Sequence, residues 1–492
     1  MVQSSTSTEA GLPADLPRLH RPDGKRPQPG IVHLGLGAFF RAHGAVYISQ
    51  AMERSGGDWG IIGVSLVRPD QRDLLAPQDY AYTALELGPE GETPRVITAV
   101  DHVLVARENP QAVLEAMSDP AIRIITLTVT EKGYCHEPST GRLNRQHPDI
   151  VHDLAHPDAP LSAVGYLVRA LERRRNAGLR PFTVLCCDNL PENGKVVKGV
   201  VIECAGLIDP ALADWISAEG AFPSTMVDRI VPATKPEDIE RLAAMTGVLD
   251  LSPVMHEPFR QWVVEDRFVD GARPDLGAVG VQLVGDVTPF EHMKLRCLNG
   301  THSSLAYLGY LAGHETISDT VADPSFARFC KELWREEIVP GLRPPEGVDL
   351  SAYTDALFER YSNPAIRHRT WQIAMDGSQK LPQRILSTVA ENLTAGRPFA
   401  GLALAVAAWM RYVGGVDEKG NPIDVRDPLA ARLKSLSDAA TGADDKVAAL
   451  LGVTEIFPPA LAGNEGFHAA LAKAYAGLLE KGAARMVEEV GT

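Results

Sequence analysis

The stretch Ile31-Val-His-Leu-Gly35-Leu-Gly37-Ala38-Phe39-Phe40-Arg41-Ala42-His43 decides the fold. It starts as a short apolar, β-branched run, turns through Gly-x-Gly, and opens a helical pattern over Ala42–Glu53. That order puts backbone N–H groups at a helix N-terminus directly beyond a strand, the geometry that receives a pyrophosphate. Gly35, Leu36, Gly37, Ala38, Phe39 and Arg41 are therefore the candidate cofactor-binding residues. The third glycine of the usual fingerprint is absent, because Phe40 stands where it would fall. Alone, the fragment reads equally well as an ordinary strand-to-helix turn, so its surroundings decide.

Outward from the turn, short apolar runs alternate with helical patterns, the signature of parallel βαβ units. Candidate strands are Ile31–Leu34, Gly60–Leu66, Arg95–Ala99, Ile122–Thr130 and Phe182–Cys187, with helices over Ala112–Met117 and Ala163–Ala177. Phe259–Val264 and Val279–Leu283 are added strands in a proline-punctuated region. This predicts a Rossmann-type, mostly parallel sheet with helices on both faces. From about Phe290, apolar residues recur every three or four positions, as in Phe326–Trp334, Leu350–Tyr361, Gln383–Thr394, Gly401–Tyr412 and Phe467–Val490, and predict a mainly helical second half. The expected spans are a flexible or surface-wrapping arm over 1–29, a nucleotide-binding α/β domain over 30–285 and a helical substrate domain over 286–492.

At 492 residues the chain is too long for one ordinary core. Hydrophobic content of 45% and charged content of 23% are those of a globular protein. The net charge of -15 argues against a nucleic-acid surface and favours a cytoplasmic protein. The six cysteines have no paired spacing and read as reduced thiols. No CxxC pair or HExxH helix points to zinc, and no apolar run approaches the ~18 residues that span a bilayer. Neither a metal nor a membrane is expected.

Beyond the second strand, Arg68 and Asp70 sit in a loop where an acid suits the adenosine ribose hydroxyls and disfavours a 2′-phosphate, so NAD is expected rather than NADP. The fourth and fifth strands lead into Glu131-Lys132-Gly133-Tyr134 and Asp188-Asn189-Leu190-Pro191, which should border one cleft. In the second half, Lys294-Leu-Arg-Cys-Leu-Asn299-Gly-Thr-His302 sets an amine, an amide and an imidazole in an otherwise apolar run. On an α-helix at roughly 100° per residue, Asn299 lies about 140° and His302 about 80° around from Lys294, and Arg296 points elsewhere. Buried polar groups need partners or a purpose.

Together these segments resemble the long-chain polyol dehydrogenase (mannitol dehydrogenase) family. The likeness rests on Gly35–His43, Thr128-Val-Thr-Glu-Lys-Gly-Tyr-Cys135, Cys187-Asp-Asn-Leu-Pro191, Met226-Val-Asp-Arg-Ile230, Glu257-Pro-Phe-Arg-Gln-Trp262 and Lys294–His302, and it covers nearly the whole chain from Gly30. The resemblance implies an NAD(P)-binding domain and a helical substrate domain, with metal-independent catalysis between them. It makes Lys294 the general acid/base, gives Asn189 and Asn299 the developing alkoxide, and has His302 bind or orient substrate. Desolvation suits a lysine to that role, because it lowers the pKa of an ammonium. Glu131 is implied as a proton relay and Asp228 as a support.

Within the family, His368-Arg-Thr-Trp-Gln372 through Lys380-Leu-Pro-Gln-Arg384 and Thr130-Glu-Lys132 look most like fructuronate reductase. Mannitol dehydrogenases would carry an arginine at Gln372, and relatives commonly place histidine at Phe40. Lys380 is expected on substrate oxygens, and Arg260, Arg367 or Arg369 on a substrate carboxylate. The expected reaction is NAD-dependent reduction of D-fructuronate to D-mannonate by a monomer, with a mannitol 2-dehydrogenase or tagaturonate-type oxidoreductase as the alternative. A non-catalytic NAD or sugar-acid sensor is the reading from another class, but binding alone does not require a base.

Overall fold

The computed structural model describes residues 16–24, 26–137 and 140–490. The chain divides into two compact units at Thr288/Pro289.

The first unit is built on a five-stranded, all-parallel sheet. Its strands run across the sheet as Val100–Val105, Gly60–Ser65, Pro29–Leu34, Ile124–Leu127 and Thr183–Cys186. Alternate side chains enter two separate cores, as the pleat of a doubly covered sheet requires. Val32, Leu34, Val64 and Ile125 pack on the face bearing helices Pro110–Ser118, Ala163–Asn176 and Asn193–Ile208. Ile31, Ile61, Val103 and Ile124 pack on the face bearing helix Gly44–Ser55. The strand order reverses at Pro29–Leu34, so the turn at Gly35 lies at the switch point of the sheet, as expected for a Rossmann-type fold.

One expected strand is placed differently. Arg95–Ala99 falls largely in Gly91–Ile97, which pairs antiparallel with Tyr82–Gly88, and the latter pairs in parallel with Val254–His256. This is a separate three-stranded sheet. The outer strand of the main sheet is Val100–Val105, a few residues later. Gly91–Ile97 is mostly exposed, consistent with its place at a sheet edge. A third sheet joins Gln282–Val284, Gln261–Glu265 and Thr225–Asp228.

Of the amino-terminal arm, residues 1–15 lie outside the described residues. From there on the backbone is tied down: Leu19 N–H donates to Leu249 O at 2.8 Å, and the Arg21 guanidinium donates to the carbonyls of Thr98 and Val100.

The second unit is helical. Helix Ala400–Val413 is buried along nearly its whole length and packs with Thr301–Ala312 and Glu465–Lys481 around Tyr307, Trp409 and Phe457. The long pattern over Phe467–Val490 resolves into Glu465–Lys481 and Ala483–Val490, split at Gly482, whose φ of 80° ends the first helix. Three segments close as π-turns with i→i+5 bonding: Lys294–Gly300, Leu333–Ile338 and Pro382–Leu386. No helix among the described residues is long and apolar enough to cross a membrane.

Candidate active site

In the first unit, the Gly-x-Gly turn is held against the neighbouring strand. Gly35 has φ 90°, its N–H donates to Val64 O at 2.9 Å, and a Cβ there would lie 2.2 Å from Thr128 O. Gly37 caps helix Ala38–Ala42, and a Cβ on it would meet nothing nearer than Gly35 O at 3.8 Å. The space in front of the turn is therefore open, with the first backbone N–H groups of the helix beside it. Leu36 is buried against Gly63, while Ala38 and Phe39 are half-buried.

Phe40 takes up the volume behind the turn. Its ring lies flat on His33, with centroids 3.4 Å apart and planes 7° apart, and Gly44 leaves room for it. His33 reaches Thr126 Oγ1 at 2.8 Å and Thr128 Oγ1 at 3.0 Å, and burial pushes its imidazole down to about 3, so it is neutral. Arg41, expected on the cofactor, is instead drawn into the interior: it donates to Ser252 O at 2.6 Å and lies over the Tyr82 ring at 5.2 Å. Asp70 opens helix Asp70–Leu75, exposed and 3.3 Å from Arg68 Nε.

Asp188 ties the fourth and fifth strand ends together. It accepts from Val129 N at 2.8 Å, Thr130 N at 3.3 Å and the Tyr134 hydroxyl at 2.6 Å. Thr130 is held at φ 65°, ψ 163°, a conformation that needs such bracing. Asn189 follows as an exposed residue, and Glu131 starts the single turn Glu131–Tyr134. Asp228 is buried at the end of its strand, opposite Gln261. Arg260 stacks on Tyr47 at 4.1 Å and donates to Gln50 Oε1 at 2.5 Å, beside a surface recess shared with Glu53, Arg54 and Arg95.

In the second unit, Lys294 is only 7% exposed and starts a π-turn, not the α-helix expected. The difference matters because i→i+5 closure brings positions five apart into register, and Lys294 and Asn299 are five apart. Two carbonyls of the turn take donors from elsewhere in the unit: Trp334 Nε1 donates to Cys297 O at 2.9 Å, and the Tyr361 hydroxyl to Leu298 O at 2.7 Å. Such outside donors relieve the turn of the usual i→i+4 pattern. Gly300 admits the Arg384 carbonyl, which would lie 2.6 Å from a Cβ.

His302, 8% exposed, stacks on Tyr361 at 5.2 Å and meets the His368 ring edge-on at 4.8 Å. Its pKa is driven well down, first by burial and then by His368, Arg384, Arg360 and Lys380. Burial and Lys380 push His368 down to about 4. Both imidazoles are therefore neutral in a cationic setting. Lys380 donates to Met375 O at 2.6 Å and Ile373 O at 3.3 Å, and Arg384 donates to Ser303 Oγ at 3.1 Å. Gln372 is exposed. Arg369, half-buried, and Arg367, exposed, lie 3.6 and 3.9 Å from Glu315 Oε1. His368 and Arg384, the two ends of a segment singled out in the sequence, were not among the expected site residues.

Arg296 leaves the Lys294 face and forms a two-pronged pair with Glu391, both contacts at 2.6 Å, with side-chain exposures of 8% and 45%. Removing the acid strands a buried guanidinium, whereas removing the base leaves a carboxylate that water can reach. Glu391→Ala is therefore expected to cost about 2–3 kcal/mol and Arg296→Met about 1 kcal/mol in urea unfolding. Equal costs would mean that burial of Arg296 does not set the energetics.

No metal is expected from the sequence, yet Cys135, His147 and Asp149 bring donor atoms within 4.8 Å of one another. His147 Nδ1 already accepts from Asp149 N at 3.2 Å, and burial pushes the Cys135 thiol up to about 12. These features describe a helix cap beside a protonated thiol.

The sequence matches the models of two domains: the mannitol dehydrogenase Rossmann domain over residues 29–277 and the mannitol dehydrogenase C-terminal domain over 286–479. It is 49% identical to the D-mannonate oxidoreductase of Escherichia coli (strain K12), covering 98% of this chain and 99% of that one. It is 42% identical to a mannitol 2-dehydrogenase of Pyricularia oryzae (strain 70-15 / ATCC MYA-4617 / FGSC 8958), covering 89% and 88%. The solved Pseudomonas fluorescens mannitol 2-dehydrogenase, a ternary complex with NAD and D-mannitol, superposes with a TM-score of 0.87 at 39% identity, covering 97% of each chain. With both domain models matched and relatives alike over nearly their full length, the chain belongs to the mannitol dehydrogenase family of oxidoreductases.

Proposed function

We propose that this protein is an NAD-dependent oxidoreductase that interconverts D-fructuronate and D-mannonate, working in the cytoplasm. The reading is carried by the buried Lys294 at the start of the π-turn that holds Asn299, followed on the next helix by a neutral, buried His302 whose pKa the charges of Arg384, Arg360 and Lys380 also lower. A neutral polyol does not call for that positive surround, whereas a sugar acid brings a carboxylate to it. The near-full-length likeness to a D-mannonate oxidoreductase points the same way. Gln372 supports the sugar acid over mannitol, for which the resemblance expects an arginine. Six free, buried thiols suit a reducing compartment.

The residues of the turn fit a dinucleotide. Gly35 permits the close strand approach, Gly37 leaves the space before the helix open, and Asp70 is the acid for ribose hydroxyls, which favours NAD over NADP. When bound, the dinucleotide supplies hydride acceptance and donation at its nicotinamide. Lys294 takes the proton from the substrate hydroxyl during oxidation and returns it during reduction. The Asn299 amide donates a hydrogen bond to the alkoxide without neutralising it, which suits a reversible reaction. Asn189 is the first unit's candidate for the same duty, Glu131 for proton relay and Asp228 for support.

Initial rates of NADH oxidation with D-fructuronate, D-tagaturonate and D-fructose test the reading. D-Fructuronate is expected to lead in kcat/KM by about tenfold or more, the discrimination a site built for a polar group provides. Consumption of NADH with none of the three would overturn it.

A further inference from the structure

The parallel ladder between strands Ile124–Leu127 and Thr183–Cys186 carries on to one further backbone bond, Cys187 N–H donating to Leu127 O at 2.8 Å. Beyond it a side chain takes over the pairing. The half-buried Asp188 carboxylate receives three donors on two oxygens: Oδ2 accepts from both Val129 N–H and the Tyr134 hydroxyl, and Oδ1 from Thr130 N–H. Burial, Cys186 and Asp188 raise the Tyr134 pKa well above a phenol's usual value, so its hydroxyl keeps the proton it donates. On its other side Asp188 is held by the backbone. Its carbonyl accepts from Asn193 Nδ2 at 3.2 Å, and Asn193, 1% exposed, in turn accepts from Thr225 N–H at 2.9 Å. The anchored segment includes Thr130, a β-branched residue at φ 65°, ψ 163°, a conformation that persists only where the surroundings over-determine it.

We propose that Asp188 is a positioning residue for Asn189, which directly follows it and stands exposed at the same strand end. This rests on the role given to Asn189 above, a hydrogen bond to the alkoxide. An exposed residue beyond a strand has many backbone conformations open to it, and its amide stabilises a developing charge only where the backbone is fixed. Asp188 fixes it from two directions, through its carboxylate to the Val129–Tyr134 segment and through its carbonyl to Asn193. A carboxylate is needed because all three donors call for acceptors. Asparagine has a single acceptor oxygen: placed where Oδ2 lies, it keeps Val129 and Tyr134 but turns its NH2 on Thr130 N–H, donor against donor. In this role Asp188 acts through Asn189 and takes no part in proton or hydride transfer.

The test is a double-mutant cycle in NAD-dependent oxidation of D-mannonate, run with wild type, Asp188→Asn, Asn189→Ala and the double variant. Asn189→Ala is expected to lower kcat by about 10²-fold, as loss of a donor to an oxyanion does. Asp188→Asn is expected to lower kcat by about tenfold or more, the effect of a displaced group, with KM for D-mannonate and NADH affinity changed by less than about threefold. In the Asn189→Ala background the same substitution should lower kcat by less than about threefold further, because the group it positions is gone. A carboxylate that only holds the fold together would not show that dependence. Should Asp188→Asn fail to fold, Tyr134→Phe, which removes one of the three donors, is read in the same cycle and with the same outcomes. Unchanged kcat in the Asp188 variant, or full additivity with Asn189→Ala, overturns the assignment while Asn189 keeps its role. Unchanged kcat in Asn189→Ala removes the role of Asn189, and this assignment with it, whereas absence of D-mannonate turnover by wild type overturns the functional reading itself.

Discussion

Replacing Lys294 by alanine is expected to lower kcat for D-mannonate oxidation by about 10³-fold at neutral pH, within the 10²- to 10⁴-fold range that a positioned acid/base group supplies. That is roughly 4 kcal/mol of transition-state stabilisation. The loss should fall on the chemical step: C5-deuterated D-mannonate should show a larger isotope effect on kcat in the variant than in wild type, and added small amines should restore part of the rate. NADH affinity is expected to hold, because the Gly35 turn belongs to the first unit and Lys294 to the second. The protein should also stay folded. Lys294 is 7% exposed, and trimming it to alanine removes a charged group from that setting. A stable, cofactor-binding, nearly inactive protein is thus the expected result. Near-wild-type kcat would remove the lysine from its acid/base role.

The pattern of residues reveals such a lysine more readily than its geometry. An amine in an apolar run is visible in Lys294–His302, and so is the divergence of Arg296, which the structure sends to Glu391. The π-turn is not visible. It depends on donors from Trp334 and Tyr361, which lie 37 and 63 residues away, and on Gly300 admitting the Arg384 carbonyl. A helical wheel sees only local spacing and sets Lys294, Asn299 and His302 within one arc of an α-helix, whereas the chain closes i→i+5 over Lys294–Gly300 and changes that spacing. The contact of His368 with His302 is hidden from the sequence for the same reason, since tertiary packing brings the two rings together.

The sheet divides in the same way. Strands with strong apolar runs and a turn at each end were legible, as Pro29–Leu34 and Thr183–Cys186 illustrate. Val100–Val105 was not, because its polar Asp101 and His102 interrupt the run, while the neighbouring Arg95–Ala99 carries the β-branched residues. Only pairing settles that Arg95–Ile97 belong to an exposed hairpin and Val100–Val105 to the parallel sheet. Position alone puts Arg41 beside the cofactor turn, without showing where its guanidinium goes. The arginine follows the Gly-x-Gly turn on helix Ala38–Ala42, yet Ser252 and Tyr82, far along the chain, draw its guanidinium inward.

The two glycines of the turn separate folding from cofactor binding. At Gly35, an alanine would have to adopt φ 90° with its Cβ 2.2 Å from Thr128 O, so the strand ends must part or the turn must refold. The left-handed backbone costs roughly 1–2 kcal/mol and the overpacking about 1–3 kcal/mol more. Gly35→Ala is therefore expected to destabilise the first unit by about 2–5 kcal/mol and lower its melting temperature by about 10 °C. NADH binding should fall with it, because the N–H groups of the turn move. At Gly37 the backbone is extended and the nearest atom to a Cβ is 3.8 Å away, so alanine fits the fold. The methyl group would instead project into the open space before the helix, where the dinucleotide phosphates are proposed to lie. Gly37→Ala is expected to melt with wild type yet bind NADH about tenfold or more weakly, the mark of a backbone held off its ligand. Calorimetric unfolding and NADH fluorescence titration read both effects on the same samples. If Gly37→Ala binds NADH as wild type does, the phosphates do not occupy that space; if Gly35→Ala melts unchanged, the strand ends are looser than the 2.2 Å approach requires.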